Sequence, residues 1–169
     1  LLHTWNGPLL LDADAVNLLA GDPEKLAGRG VPPVLTPHPG ELARLLGSAN
    51  ADVVADRLEA AREAARRSGA VVVAKGYGTV IAEPNGQAWV NPTGDVGLAS
   101  GGSGDVLTGT IGGLLAQGLE PLRAALVGCW LHGRAGEIGG EIYPAAVPAG
   151  ELPDLLADAW RELEESDED

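Results

Sequence analysis

The residues with the most chemical content lie between Asn91 and Gly113, which read NPTGDVGLASGGSGDVLTGTIGG. Within this glycine-rich run one carboxylate, Asp105, stands where a helix should begin. A glycine run that opens a helix leaves backbone N–H groups free to hold phosphate oxygens. An acid at that place can take a proton from a hydroxyl that is being phosphorylated. The run is not a Walker loop, because no Gly-Lys-Ser/Thr follows, and Leu107 takes the place of the third glycine of a dinucleotide-binding fingerprint. The plainer alternative is a flexible connection with Asp105 as a helix cap. Gly109, Gly112 and Gly113 weigh against it. Each costs about 1 kcal/mol against alanine inside a helix, which close approach to a neighbouring element would justify.

Three further segments carry candidate groups. Lys75, one of only two lysines, directly follows the apolar run Val71-Val72-Val73-Ala74. Its ammonium, or the amides of Gly76, Tyr77, Gly78 and Thr79, can bind phosphate or ribose; a lysine snorkelling beside a turn fits the spacing equally. His38 lies between prolines in TPHPGE, a rigid loop suited to a ligand contact, although a partly exposed loop histidine is the simpler reading. Asp12 and Asp14 can hold a cation or position phosphates, or Asp14 can cap a helix starting at Ala15. No second His or Cys stands at metal-ligand spacing, so a protein zinc site is not expected. His132 reads as a packed or half-exposed helical histidine, and Cys129, the only cysteine, as a buried thiol.

These groups need a scaffold. Pro8–Leu11 reads as a strand ending in acids, followed by a short helix from Ala13 to Leu19. Val34-Leu35 is a second strand, and a helix starts at Glu41. Val53–Ser68 has the pattern of one longer amphipathic helix. Val71–Ala74 is a strand buried on both faces, and Thr79–Ala82 with Gln87–Val90 forms a hairpin. Helices follow from about Asp105 to Gln117 and from Pro121 towards Glu137. Leu152, Leu155, Leu156, Ala159, Trp160 and Leu163 recur at helical spacing, so a last helix packs on the body. Strands alternating with helices imply an open, mostly parallel sheet flanked by helices, with ligands at the carboxyl ends of the strands. All the candidate motifs sit at or just beyond such ends.

The chain has 169 residues, 45% of them apolar, enough for one α/β domain with a sizeable core. No apolar run approaches membrane-spanning length, so no membrane role is expected. The net charge of −13 is concentrated after Glu151, and residues 164–169 read as a solvated acidic tail beyond a domain spanning 1–163. That acidity argues against nucleic-acid binding. With a single cysteine and no secretory signal, a cytoplasmic location is expected. The chain contains no Met and starts at Leu1, which suggests a portion of a longer protein.

Together the segments LDADAVNLLA, LTPHPGELARLLG, VVVAKGYGTVIA, WVNPTGDVGLASGGSGDVLTGTIGGLLAQG and GCWLHGRAGE resemble the NAD(P)H-hydrate dehydratases, a branch of the ribokinase-like superfamily. The resemblance implies a lyase of metabolite repair, which returns hydrated NADH or NADPH (NADHX and NADPHX) to NAD(P)H using ADP, or ATP, with Mg²⁺. It implies that Asp105 is the base and contacts the hydrated cofactor, that His38 contacts the same substrate, and that Gly104 with Lys75, Gly76, Tyr77, Gly78 and Thr79 binds the adenine nucleotide. Asp12, Asp14 and Asn17 match a family motif without an assigned role. A homo-oligomer and a fused or partner NAD(P)HX epimerase are also implied.

The sequence departs from the family pattern mildly at Ser100, where many members have Thr, and more seriously in that the N-terminal strands that precede LDADA in the family are not among these 169 residues. About five strands are expected, with an open sheet edge and an incomplete substrate site, so that full activity needs the upstream segment. Two other readings stay open. A ribokinase-like kinase of a vitamin precursor would use Asp105 on a stable hydroxyl, and a non-catalytic nucleotide-binding fragment would keep the cradle alone.

Overall fold

The computed structural model describes residues 4–166. A five-stranded sheet runs in the order β1 (Leu10–Leu11), β2 (Val34–Leu35), β3 (Val71–Ala74), β4 (Val80–Ala82) and β5 (Ala88–Val90). The first three strands are parallel, and β3, β4 and β5 form an antiparallel meander. Seven α-helices surround the sheet among the described residues: α1 (Asp14–Asn17), α2 (Pro39–Leu46), α3 (Asn50–Ala55), α4 (Arg57–Ser68), α5 (Ser103–Ala116), α6 (Pro121–Ile142) and α7 (Leu152–Ser166).

The alternation of side chains along each strand builds two apolar layers. Leu35, Val72, Ala74, Val80 and Ala82 face Leu42, Leu45, Val53, Ala61 and Ala65 on the side of α2, α3 and α4. Val34, Val71, Val73 and Ile81 face Leu107, Ile111, Ala125 and Cys129 on the side of α5 and α6. A sheet covered on both faces needs continuous apolar strands, and β3, buried along its whole length, is one. A third cluster, including Leu131, Ala135, Leu152 and Ala159, fastens α7 to α6.

Three local expectations need correction. The helix expected over Val53–Ser68 is two helices. At Asp56 (φ −140, ψ 76) the carboxylate accepts from the Glu59 N–H and caps α4, which gives the backbone an alternative to continuing α3. Gly109 and Gly113 of α5 face open space among the described residues, and Gly112 makes only an ordinary contact with Leu10. The close helix approach instead uses α6, where a Cβ on Gly128 would lie 2.6 Å from Ile111 Cγ1 of α5. Trp160, placed by its spacing in the packing stripe of α7, is exposed and donates from Nε1 to Glu164. The acidic residues from 164 begin inside the end of α7, which runs through Ser166, and 167–169 lie outside the described residues.

Candidate functional site

The parallel strands end on one rim of the sheet, and each delivers a polar group there. Asp12 follows β1, Thr36 and His38 follow β2, and Lys75 follows β3. The first turn of α5 closes the same rim. A cavity of about 840 Å³ opens between them, lined by His38, Lys75, Gly76, Tyr77, Gly78, Thr79 and Gly104 among others. The structure therefore brings the expected substrate and nucleotide residues together, with the exception of Asp105. That residue is exposed on the first turn of α5, beside Gly104, and is not part of the cavity wall.

The N-terminus of α5 is built to receive an anion. Its N-cap is Gly102, at φ 89, and no side chain caps the turn. The first amides of a helix lack intrahelical acceptors; the Ser103 N–H donates to the Ser100 carbonyl at 3.3 Å, which leaves those of Gly104 and Asp105 to face an anion. A left-handed cap residue favours glycine, and a Cβ on Gly102 would also press on Ala149 at 3.0 Å. Asp105 stands at the third helical position and is not the cap. A Cβ on Gly104 would lie 3.4 Å from Lys75 Nζ, so the lysine head sits against this turn.

Lys75 is held from the other side by Asp12. Lys75 Nζ donates to Asp12 Oδ1 at 2.9 Å, and Thr108 Oγ1 donates to Asp12 Oδ2 at 2.8 Å. Burial pushes the Asp12 carboxyl up, but hydrogen bonds from Lys75 and Thr108 and the Lys75 charge outweigh it and hold the group below the ordinary carboxylate range. Asp14 faces solvent, gives α1 no side-chain cap and accepts a 3.5 Å bond from Asn17 Nδ2.

The loop after β3 is pinned from below. The Arg57 guanidinium donates to the Gly78 carbonyl at 2.7 Å and to that of Tyr77. Thr79 Oγ1 donates to the Gly76 carbonyl at 3.0 Å and closes the turn. Tyr77 is left 95% exposed at the cavity mouth. His38 is the N-cap of α2: its Nδ1 accepts from the Gly40 N–H at 3.0 Å, while its own N–H donates to Glu41 Oε2 at 2.8 Å. The loop histidine is thus fixed by a capping box, with its imidazole half-exposed on the cavity wall.

Several wall residues were given no individual role by the sequence. The segment from Asn91 to Ala99 forms the far wall, and Asp95 is the only carboxylate among the lining residues. His132 of α6 lies buried behind the first turn of α5, with Nε2 at 3.0 Å from the Ser103 carbonyl and 3.1 Å from its Oγ. A carbonyl only accepts, so Nε2 carries the proton. Burial pushes this imidazole below the ordinary histidine range. Cys129, also on the wall, is pushed up to about 12 by burial, which makes it an inert thiol. Among the described residues no group of three or more His, Cys, Asp or Glu could hold a metal ion, and no helix is long and apolar enough to cross a membrane.

Comparison with known proteins bears on the family and the fold. The family model for NAD(P)H-hydrate dehydratase matches residues 2–157. A bifunctional NAD(P)H-hydrate repair enzyme of Moorella thermoacetica is 53% identical over 159 residues, covering 94% of this chain and 30% of the relative. The ADP/ATP-dependent NAD(P)H-hydrate dehydratase of Bacillus subtilis, co-crystallized with ATP/Mg²⁺ and soaked with CoA, shares 41% identity at a TM-score of 0.86, over 94% of this chain and 57% of that one. A ribokinase-like superfamily protein of Enterococcus faecalis, 26% identical, superposes at a TM-score of 0.72 over 90% of this chain and 52% of its own. The chain spans less than two thirds of the length of each of these. On a rim that joins the TPHPGE loop, the Lys75–Thr79 turn and the GGSGD helix start in a ribokinase-like α/β fold, this chain belongs to the NAD(P)H-hydrate dehydratase family.

Proposed function

We propose that the chain is the nucleotide-binding, catalytic portion of an enzyme that dehydrates NADHX and NADPHX to NADH and NADPH at the expense of ADP or ATP. The observation that carries this reading is the convergence of His38, the Lys75–Thr79 turn and Gly104 on one cavity beside the uncapped start of α5. That start, with Lys75 against it, fits nucleotide phosphates, since Gly104 leaves open the space a side chain would fill. A Mg²⁺ ion fits as a passenger on the phosphates, with Asp95 the carboxylate in the cavity wall, because Mg²⁺ keeps waters and needs few protein ligands. Such an ion would neutralise charge on the phosphoryl group in flight.

Asp105 accepts the proton of the ring hydroxyl as its oxygen attacks the terminal phosphoryl of the nucleotide. The amides of α5 and Lys75 stabilise the charge that develops on that phosphoryl. The phosphate then leaves with the C–O bond, assisted by the ring nitrogen lone pair, and loss of a proton from the neighbouring carbon restores the dihydropyridine. With ADP the balance is NADHX plus ADP giving NADH, AMP and inorganic phosphate. The exposed position of Asp105 means that the hydrated ring approaches along the outer side of the first turn of α5.

The test is recovery of the near-ultraviolet absorbance of NADH from hydrated NADH with ADP or ATP. Asp105→Asn is expected to lower turnover by roughly 10²–10⁴-fold, the usual worth of a general base, and to leave nucleotide binding in place. Phosphorylation of a vitamin alcohol with no recovery of NADH would favour the kinase instead. One observation supports a second reading: β1 ends the sheet with no described neighbour on its outer side, and Asp105 stands open to solvent. In that reading these 169 residues alone bind nucleotide without turnover, and Asp105→Asn changes little. A cytoplasmic location, homo-oligomerisation and an epimerase partner belong to the same proposal.

A further inference from the structure

The LDADA segment has no part in the chemistry above, although Asp12 is the group most firmly tied into the rim. Its carboxylate is bonded through both oxygens, to Lys75 and to Thr108. Thr108 lies one turn after Asp105 on α5, and its hydroxyl is also 3.5 Å from that of the fully buried Thr36. A single side chain at the end of β1 therefore links the end of β3, the second turn of α5 and, through Thr108, the end of β2. Side-chain exposure is 21% for Lys75 and 11% for Asp12, so the pair is shielded from competition by water. An ammonium has three N–H donors; one is committed to Asp12, and Gly104 lies beside the head group.

We propose that Asp12 is a positioning residue: its carboxylate clamps the Lys75 ammonium against the first turn of α5 and, through Thr108, fixes the register of that turn against the strand ends. Asp12 touches neither nucleotide nor hydrated ring. It acts through Lys75, and this consequence rests on the phosphate reading of the α5 start. The clamp also sets the charge at the site. Lys75 and Asp12 together are neutral, so a phosphate is drawn by the helix amides and by the uncommitted N–H groups of Lys75.

The composition provides a direct test, because Lys25 and Lys75 are the only lysines. Acetylation by an N-hydroxysuccinimide ester, followed peptide by peptide with mass spectrometry, reports Lys75 against Lys25 as internal reference. Lys75 is expected to react about tenfold more slowly than Lys25 in the unsubstituted chain, the scale of one charge-assisted contact. In Asp12→Asn, which keeps an acceptor for Thr108, that protection is largely lost while circular dichroism and the thermal midpoint show a folded chain. Equal reactivity of the two lysines in the unsubstituted chain overturns the clamp whether or not the variant folds. Protection unchanged by Asp12→Asn overturns it as well. In the dehydration assay Asp12→Asn lowers kcat, and adds nothing in a Lys75→Met background; independent, multiplying losses in the two backgrounds count against action through Lys75. If hydrated NADH is not turned over at all, the functional reading falls, and the labelling result still decides the clamp.

Discussion

His132 shows how one residue of the site ties stability to pH. Its imidazole is buried, donates from Nε2 to the Ser103 carbonyl, and is held below the ordinary histidine range by burial. Above the unfolded value, about 6.5, neither state binds the proton and the contribution of His132 to stability is complete. As the pH falls below that value the unfolded chain takes up a proton that the folded ring resists, so stability declines. Urea unfolding at pH 7.5 and 5.5 should show a lower midpoint at the acidic pH, and His132→Gln, which keeps a donor for Ser103 without titrating, should reduce the difference. A second residue stores strain. Ala13, between Asp12 and Asp14, has φ 48 and ψ −120, a conformation that costs a side chain of order 1–3 kcal/mol. Ala13→Gly is expected to raise stability by about 1 kcal/mol in chemical denaturation, the reverse of the usual cost of glycine. Little of this was legible beforehand. His132, inside the GCWLHGRAGE segment, read only as a packed or half-exposed helical histidine, and the role of Asp12 depends on Lys75 and Thr108, which are remote from it in the chain.

At the scale of elements, the glycines of α5 and α6 do different work. A Cβ on Gly128 would meet Ile111, itself fully buried with no room to yield. Gly128→Ala is expected to destabilise the fold by about 1–3 kcal/mol, since overpacking exceeds the gain in helix propensity. Gly113→Ala meets open space and should stabilise the fold by about 0.5–1 kcal/mol. Thermal midpoints of the pair, moving in opposite directions, check both values. The sequence placed glycines in both helices without showing which would touch a neighbour, because propensity is local and packing is not. The same limit explains α3 and α4. An apolar spacing that continues across Asp56 does not reveal that its carboxylate caps a new helix. The strands were easier to read, because runs such as Val71–Ala74 and Val80–Ala82 leave few alternatives to a sheet covered on both sides.

At the scale of the whole molecule, β1 is a sheet edge with no described neighbour on its outer side, and Asp105, Gly109 and Gly113 lie exposed on α5. We expect turnover to require further structure against that edge. The 169-residue chain should bind ADP in calorimetry yet convert hydrated NADH far more slowly than a protein extended before Leu1; full turnover by the chain alone would refute this. By itself the sequence determined the α/β class, the order of strands and helices, and the candidate site motifs, because apolar periodicity and glycine or proline punctuation are properties of neighbouring residues. Only the tertiary structure decided that His38, Lys75 and Gly104 share one cavity, that Asp12 is committed to Lys75, and that Asp105 stands just outside the wall. Those facts depend on how separate strand ends and one helix start meet in space, and no local pattern encodes that meeting.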